Sequence, residues 1–133
     1  MPIFDTHAHY DADRFDSDRD ALLSAMPGAG VGLVLDPGCD LPSSHAAAEL
    51  AERYPHVYAA VGIHPENCGD FRPEDLDAIA AWLAGAPRYY LQNFVDSGNL
   101  IGRGYHGFTA EQLQGFAERV RPFFGAVELR GID

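Results

Sequence analysis

Cysteine is nearly missing from this chain, with only Cys39 and Cys68 among 133 residues. Two residues so far apart cannot form a zinc knuckle or an iron–sulfur motif, and they read as ordinary free thiols. Basic residues are also in short supply. Nine Lys+Arg face twenty Asp+Glu, a formal charge of −11. Such a surface repels polyanions, which excludes a broad electrostatic footprint for nucleic acid. Chemistry on a phosphodiester would therefore need a local cation to offset the field. No apolar run is long enough to span a bilayer. The start, Met1-Pro2-Ile3-Phe4-Asp5, has neither a basic opening nor a long apolar run. A signal peptide is not expected, and the default compartment is the cytoplasm. Internal repeats and low-complexity tracts are absent.

What is present suits a globular protein, with 47% hydrophobic and 11% aromatic residues. Short apolar runs alternate with amphipathic stretches, the pattern of βα units and a parallel sheet. Ile3-Phe4 opens a first strand that ends at Asp5. Residues 18–26 read as a helix with Leu22, Leu23 and Met26 inward, stopped by Pro27 and Gly28. Residues 31–35 form a buried strand closed by an Asp36-Pro37-Gly38 turn. A helix follows Pro42 with Ala47, Leu50, Ala51 and Tyr54 on one face, and residues 57–63 make a third strand. Pro73, with Glu74 and Asp75 in the first turn, opens a helix whose inward face is Leu76, Ile79, Ala80 and Leu83.

Beyond Pro87 the texture changes. Residues 89–95 form an aromatic-rich strand candidate, followed by a glycine-rich loop to Phe108. Thr109 and Gln112 have capping-box spacing, so a helix begins there, with Leu113, Phe116, Ala117 and Val120 inward. Residues 126–129 make a last strand. The expected fold class is α/β, with partial barrel-like βα units forming an open, mostly parallel sheet of about five strands. Five strands cannot close an eight-stranded barrel, which takes about 250 residues.

Asp5-Thr6-His7-Ala8-His9 carries the sharpest chemical signal. Side chains two apart in an extended segment point the same way, so His7 and His9 can converge on one cation. They follow the first strand at its C-terminal end, where folds of this kind place their sites. Two neutral imidazoles suit a divalent metal and leave positions for carboxylates and water. A pair of surface histidines is the plainer alternative. His64, in Gly62-Ile63-His64-Pro65, rises from the same sheet edge. It could hold a phosphate oxygen, act in proton transfer, or simply pack against a carbonyl. His45, His56 and His106 read as solvated residues. Asp11, Asp13, Asp16, Asp18 and Asp20 read as a solvated loop and an acidic first helical turn, since EF-hand spacing and its closing Glu are missing. Gly102-Arg103-Gly104 lacks the Lys-Ser/Thr ending of a phosphate loop and reads as a flexible turn.

Four segments in order, FDTHAHYDADRFDSDRD, VLDPGCDLPSS, AELAERYP and VYAAVGIHPENC, resemble the opening of the TatD family of metal-dependent deoxyribonucleases. The likeness covers residues 3 to about 84. It implies a TIM-type barrel and a divalent metal centre, with Mg, Mn or Zn as candidates, that hydrolyses phosphodiester bonds in DNA or a small phosphodiester. It also implies that His7 and His9 are metal ligands and that His64 contacts substrate. The family then continues with a GEIGLD-like segment whose Glu is a ligand, two further histidines and a late Asp, and none of these is found here. Residues 87–133, with RYYLQNFVDSGNLIG and AVELRGID, resemble the C-terminal end of radical-SAM activating proteins for anaerobic ribonucleotide reductase, without their three-cysteine cluster motif.

The expected organisation is therefore residues 1–86 as a TatD-like portion and 87–133 as a βαβ segment, joined near Ala86-Pro87. Three functions follow. One is a phosphodiester hydrolase of low or no activity alone, because half of the metal cage is missing. The second is a non-catalytic α/β binding module or fusion fragment. The third is a fragment related to radical-enzyme activation. No membrane partner is expected, and a homo-oligomer covering the open sheet edges would keep a partial barrel soluble.

Overall fold

The computed structural model describes residues 1–98 and 104–132. Gly102 and Arg103, two of the three residues read as a Gly102-Arg103-Gly104 turn, lie outside them. The chain divides into two units, Met1–Phe71 and Arg72–Asp133.

In the first unit, β1 (Ile3–Asp5), β2 (Val31–Pro37) and β3 (Val57–Ala60) form a parallel sheet in the order β1-β2-β3. Helices α1 (Arg19–Ala25) and α2 (Leu41–Arg53) provide the crossovers. Leu23, Met26, Val34, Leu50 and Val57 make the core, with Tyr10, Leu22, Val31 and Tyr54 packed around it. The apolar faces expected for both helices thus meet the sheet face that carries Val34. The opposite face keeps Phe4 and Tyr58 exposed.

Two boundaries move for identifiable reasons. The expected turn at Asp36-Pro37-Gly38 is partly strand, because Asp36 pairs with Ala59 and Pro37 with Ala60. A missing N–H at Pro37 is tolerated there because the ladder ends one residue on, where Gly38 N donates to Ala60 O. Strand β3 stops at Ala60 rather than running to Ile63. Ser44 of α2 explains this: its hydroxyl accepts from Gly62 N at 3.1 Å and donates to Gly62 O at 3.2 Å. The helix side chain takes over the hydrogen bonds that a strand neighbour would supply. Helix α2 starts at Leu41, with Asp40 as its cap in a reciprocal box with Ser43.

In the second unit, α3 (Pro73–Trp82) and α4 (Ala110–Val120) pack together, and β4 (Tyr89–Gln92) pairs with β5 (Val127–Arg130) in parallel. Leu76, Ile79, Leu113, Ala117, Val120 and Phe124 are buried, and the Tyr89 and Phe124 rings stack with centroids 4.5 Å apart. Strand β4 ends at Gln92 instead of Val95, because the Asn93 side chain bonds both Phe108 N and Phe108 O. The Thr109–Gln112 capping box forms as its spacing predicts. Thr109→Ala is expected to cost about 1 kcal/mol, read as a lower urea midpoint for loss of helical circular dichroism.

All five expected strands are present and every described pairing is parallel. The TIM barrel implied by resemblance is corrected: the strands are divided three and two, and the sheets stay open. Closure takes eight strands at a common tilt. Among the described residues, no helix is long and apolar enough to cross a membrane.

Candidate metal centre

The chain leaves β1 at Asp5 and turns across the C-terminal edge of the three-stranded sheet. Asp5 starts the turn by accepting from His7 N at 3.2 Å. Ala8 N then donates to Leu35 O at 3.1 Å, which lays the loop over β2. The turn aims His7 and His9 at one point: their Nε2 atoms lie 3.1 Å apart and the rings meet edge to face. Two nitrogens bound to one zinc at about 2.0–2.1 Å stand roughly 3 Å apart. The spacing of the pair therefore suits a shared cation.

Behind this pair stands a carboxylate that the sequence does not advertise. Asp36, near the end of β2, is fully buried. Its Oδ2 accepts from the amides of Tyr10 and Asp11, both at 3.1 Å. Its Oδ1, like Oδ1 of Asp11, is buried and has no hydrogen-bond partner among the described residues. His9, Asp11 and Asp36 each offer a ligand atom, all within 4.8 Å of one another. His9 stands between the two groups, with Nδ1 3.7 Å from Asp11 Oδ1. A neutral imidazole has a single acceptor nitrogen. His9 therefore serves either the pairing with His7 or the pairing with the aspartates, not both at once.

The electrostatics of this corner favour a cation. Burial, then the charge and carboxyl contact of Asp11, push the Asp36 carboxyl up to about 7. Burial is also the main cause raising the Tyr10 phenol and the Cys39 thiol, but carboxylates add to both: Asp5 and Asp36 for Tyr10, and Asp11 foremost for Cys39. Two buried carboxylate oxygens without a donor are a costly arrangement in a folded protein. A divalent cation resolves it, and the mixed imidazole and carboxylate donors suit Mn or Zn, with Mg served mainly by the oxygens. The residues present fit such an ion.

His64 caps a short 3-10 turn, Pro65–Asn67. Its backbone N–H donates to Cys39 O at 2.8 Å, which ties it to the segment just past Asp36. Its half-exposed ring accepts from Glu66 N through Nδ1 at 3.3 Å. With Nδ1 accepting, Nε2 carries the proton and is a donor. His64 is not a member of the three-residue cluster. His56 is a packing residue, its Nε2 bonded to Leu23 O at 3.0 Å.

Asp11 and Asp36 are the site residues that sequence reasoning passed over. Asp11 was hidden in a run of aspartates, and Asp36 in an Asp-Pro-Gly turn. The available signal was a carboxylate following an unbroken apolar run at the sheet edge shared with His7 and His9.

Residues 4–91 match the family described as TatD related DNase. A protein called uncharacterized metal-dependent hydrolase YabD, from Bacillus subtilis, is 36% identical over 81 residues, 61% of this chain and 30% of that protein. The 3'-5' ssDNA/RNA exonuclease TatD of Salmonella typhimurium is 35% identical over 85 residues, 64% of this chain and 32% of that protein. The chain thus spans about a third of the length of these curated relatives. The crystal structure of YJJV, a TatD homologue from Escherichia coli, superposes with a TM-score of 0.55 at 24% identity. It covers 96% of this chain and 51% of that one, a likeness of fold alone.

Proposed function

Because the chain belongs to the TatD-related DNase family, we propose that it is a metal-dependent phosphodiester hydrolase with a reduced ligand set. The observation that carries this reading is the pair of buried, unpartnered oxygens on Asp11 and Asp36 beside His9. His9 with Asp11 and Asp36, or His9 with His7, would hold a divalent cation, Mg, Mn or Zn. When bound, such an ion supplies Lewis acidity toward a phosphoryl oxygen and lowers the pKa of its water.

The remaining roles fall to the chain itself. His64 would hold a phosphate oxygen through its Nε2 proton, since its Nδ1 is already committed to Glu66 N. The Asp11 and Asp36 carboxylates would keep that region anionic until the ion loads, so a DNA or small phosphodiester substrate approaches only the metal-loaded form. Turnover by this chain alone would be low. Four ligand positions implied by the family pattern are not found in these residues, and rate depends on closely held ligands.

The test is hydrolysis of a bis(p-nitrophenyl) phosphate reporter and a single-stranded oligonucleotide with Mn, Mg or Zn. Turnover is expected with at least one metal, lost in EDTA and in His7→Ala/His9→Ala. His64→Ala should raise KM and leave metal uptake intact. Stoichiometric metal with no cleavage of either substrate would favour the second reading, a non-catalytic metal-binding module. Involvement in radical-enzyme activation has only the residue likeness of 87–133 behind it, and Cys39 and Cys68 cannot supply three cluster ligands. Both cysteines are free thiols, in keeping with the cytoplasm as compartment. A second copy covering the open β1 and β3 edges, where Ile3, Phe4 and Tyr58 are exposed, would appear as a dimer in sedimentation equilibrium.

A further inference from the structure

The loop that carries Asp11 is gripped from both sides. On one side its amides, Tyr10 N and Asp11 N, bond to Asp36 Oδ2. On the other, its carbonyls converge on one side chain, Arg19, the first residue of α1. Arg19 Nε donates to Tyr10 O at 2.5 Å, and Nη2 donates to Asp11 O at 3.1 Å and Ala12 O at 2.9 Å. Nη2 also reaches Asp16 Oδ1 at 2.7 Å.

Three successive carbonyls aimed at one guanidinium is an arrangement of the loop backbone and not a surface ion pair. Only 19% of the Arg19 side chain is exposed, against 66% for Asp16. A surface pair contributes about 0–1 kcal/mol, so Asp16 alone does not account for the arrangement. The carbonyls leave the fork with a defined task. Planar and always charged, it fixes the carbonyls of residues 10–12, and the first of these peptide units, Tyr10 C=O with Asp11 N–H, points its N–H at Asp36, next to that of Tyr10.

We propose that Arg19 is the positioning residue of this centre, holding Asp11 and the amides that serve Asp36 in place before a cation arrives. The inference rests on the metal-centre reading above. Ligands that must otherwise be ordered at the moment of binding weaken affinity, and supporting groups around metal ligands are worth about 10- to 100-fold. Lysine cannot replace the fork, because one ammonium on a flexible stem does not reach three carbonyls in fixed planes.

The experiment is Mn(II) titration of the full chain, followed by electron paramagnetic resonance, for wild type, Arg19→Lys, Arg19→Gln and Asp16→Asn. Amide hydrogen exchange at Tyr10 and Asp11, with Leu50 in α2 as reference, is measured on the metal-free proteins. Affinity is expected to fall about 10- to 100-fold in both Arg19 variants and to hold in Asp16→Asn. Exchange at Tyr10 and Asp11 should accelerate while Leu50 stays protected, a local signature that a general loss of stability would not give. If Arg19→Gln does not fold, Arg19→Lys, which keeps the charge and the stem, decides the matter. Unchanged Mn(II) affinity in a folded Arg19→Lys would overturn the proposal and leave the metal centre standing. A wild-type protein that takes up no Mn(II) would remove the metal centre itself, a failure read from a different sample.

Discussion

Asp36→Asn is expected to weaken divalent metal binding by more than about 100-fold, beyond what loss of a merely supporting group costs, while making the metal-free protein more stable at pH 8. Asparagine keeps an oxygen for the Tyr10 and Asp11 amides, so the loop retains both bonds. What disappears is the charge. Burial and Asp11 hold the folded-state carboxyl near 7, against an ordinary value of 3.8. Between those values the native state binds more protons than the unfolded chain, so wild-type stability falls as pH rises through the window. The loss is complete above about pH 7.

The variant has no such proton to lose at this position. The stability difference between the two proteins should therefore widen from pH 4 to pH 8 in EDTA, in favour of the variant. Saturating Mn(II) should reverse the order, because a ligand bound only by the native state adds to its stability. Loading should also release a proton at neutral pH. Urea unfolding at several pH values, with and without Mn(II), supplies all of these comparisons. Equal metal affinity in wild type and variant would remove Asp36 from the ligand set.

Leu23→Ala is the substitution expected to damage the first unit most. Leu23 has no exposed surface and packs with Met26, Val34, Leu50 and Val57. Truncating such a residue costs about 2–5 kcal/mol, the transfer energy of the lost methyl groups plus the cavity left behind. Small domains retain only about 0.05–0.15 kcal/mol per residue, so a unit of this size loses a large share of its stability. The damage reaches the site through α1. That helix begins at Arg19, and Leu23 O accepts the His56 ring that ties the helix to the start of β3. Far-ultraviolet circular dichroism in urea should show a lowered midpoint, with Mn(II) affinity falling alongside it. Leu22→Ala, at a half-buried position on the same helix, should do much less.

How legible the site was depended on distance along the chain. The spacing of His7 and His9 predicts imidazoles on one side of an extended segment, whereas in the structure a turn begun at Asp5 brings their Nε2 atoms to 3.1 Å. Asp36 could not be read in this way, since its environment is made by amides 25 and 26 residues away and by its register against Ala59. Asp-Pro-Gly is also an ordinary turn opener, and that local meaning masked the long-range one. Asp11 and Arg19 were lost in a charged segment where every second or third residue is acidic. The division of strands into three and two was likewise beyond periodicity, which says that a segment is a strand but not which strand it joins. Local devices were plain: the Thr109–Gln112 box formed as spelled, whereas the Asp40–Ser43 box was obscured by Pro42, which looked like the helix start.

The short reach of the contacts around Asp36 also has a bearing on synthesis. Tyr10 meets Asp36 across 26 residues and Arg19 meets Tyr10 across 9, so the loop closures involved are inexpensive and fast. A ribosome adds about 5–20 residues per second. Asp36 is therefore made within seconds of His7, and the whole second unit is made later still. The donor atoms for a cation belong to the unit that is made before Arg72–Asp133, so metal capture and folding of the first sheet can proceed while translation continues.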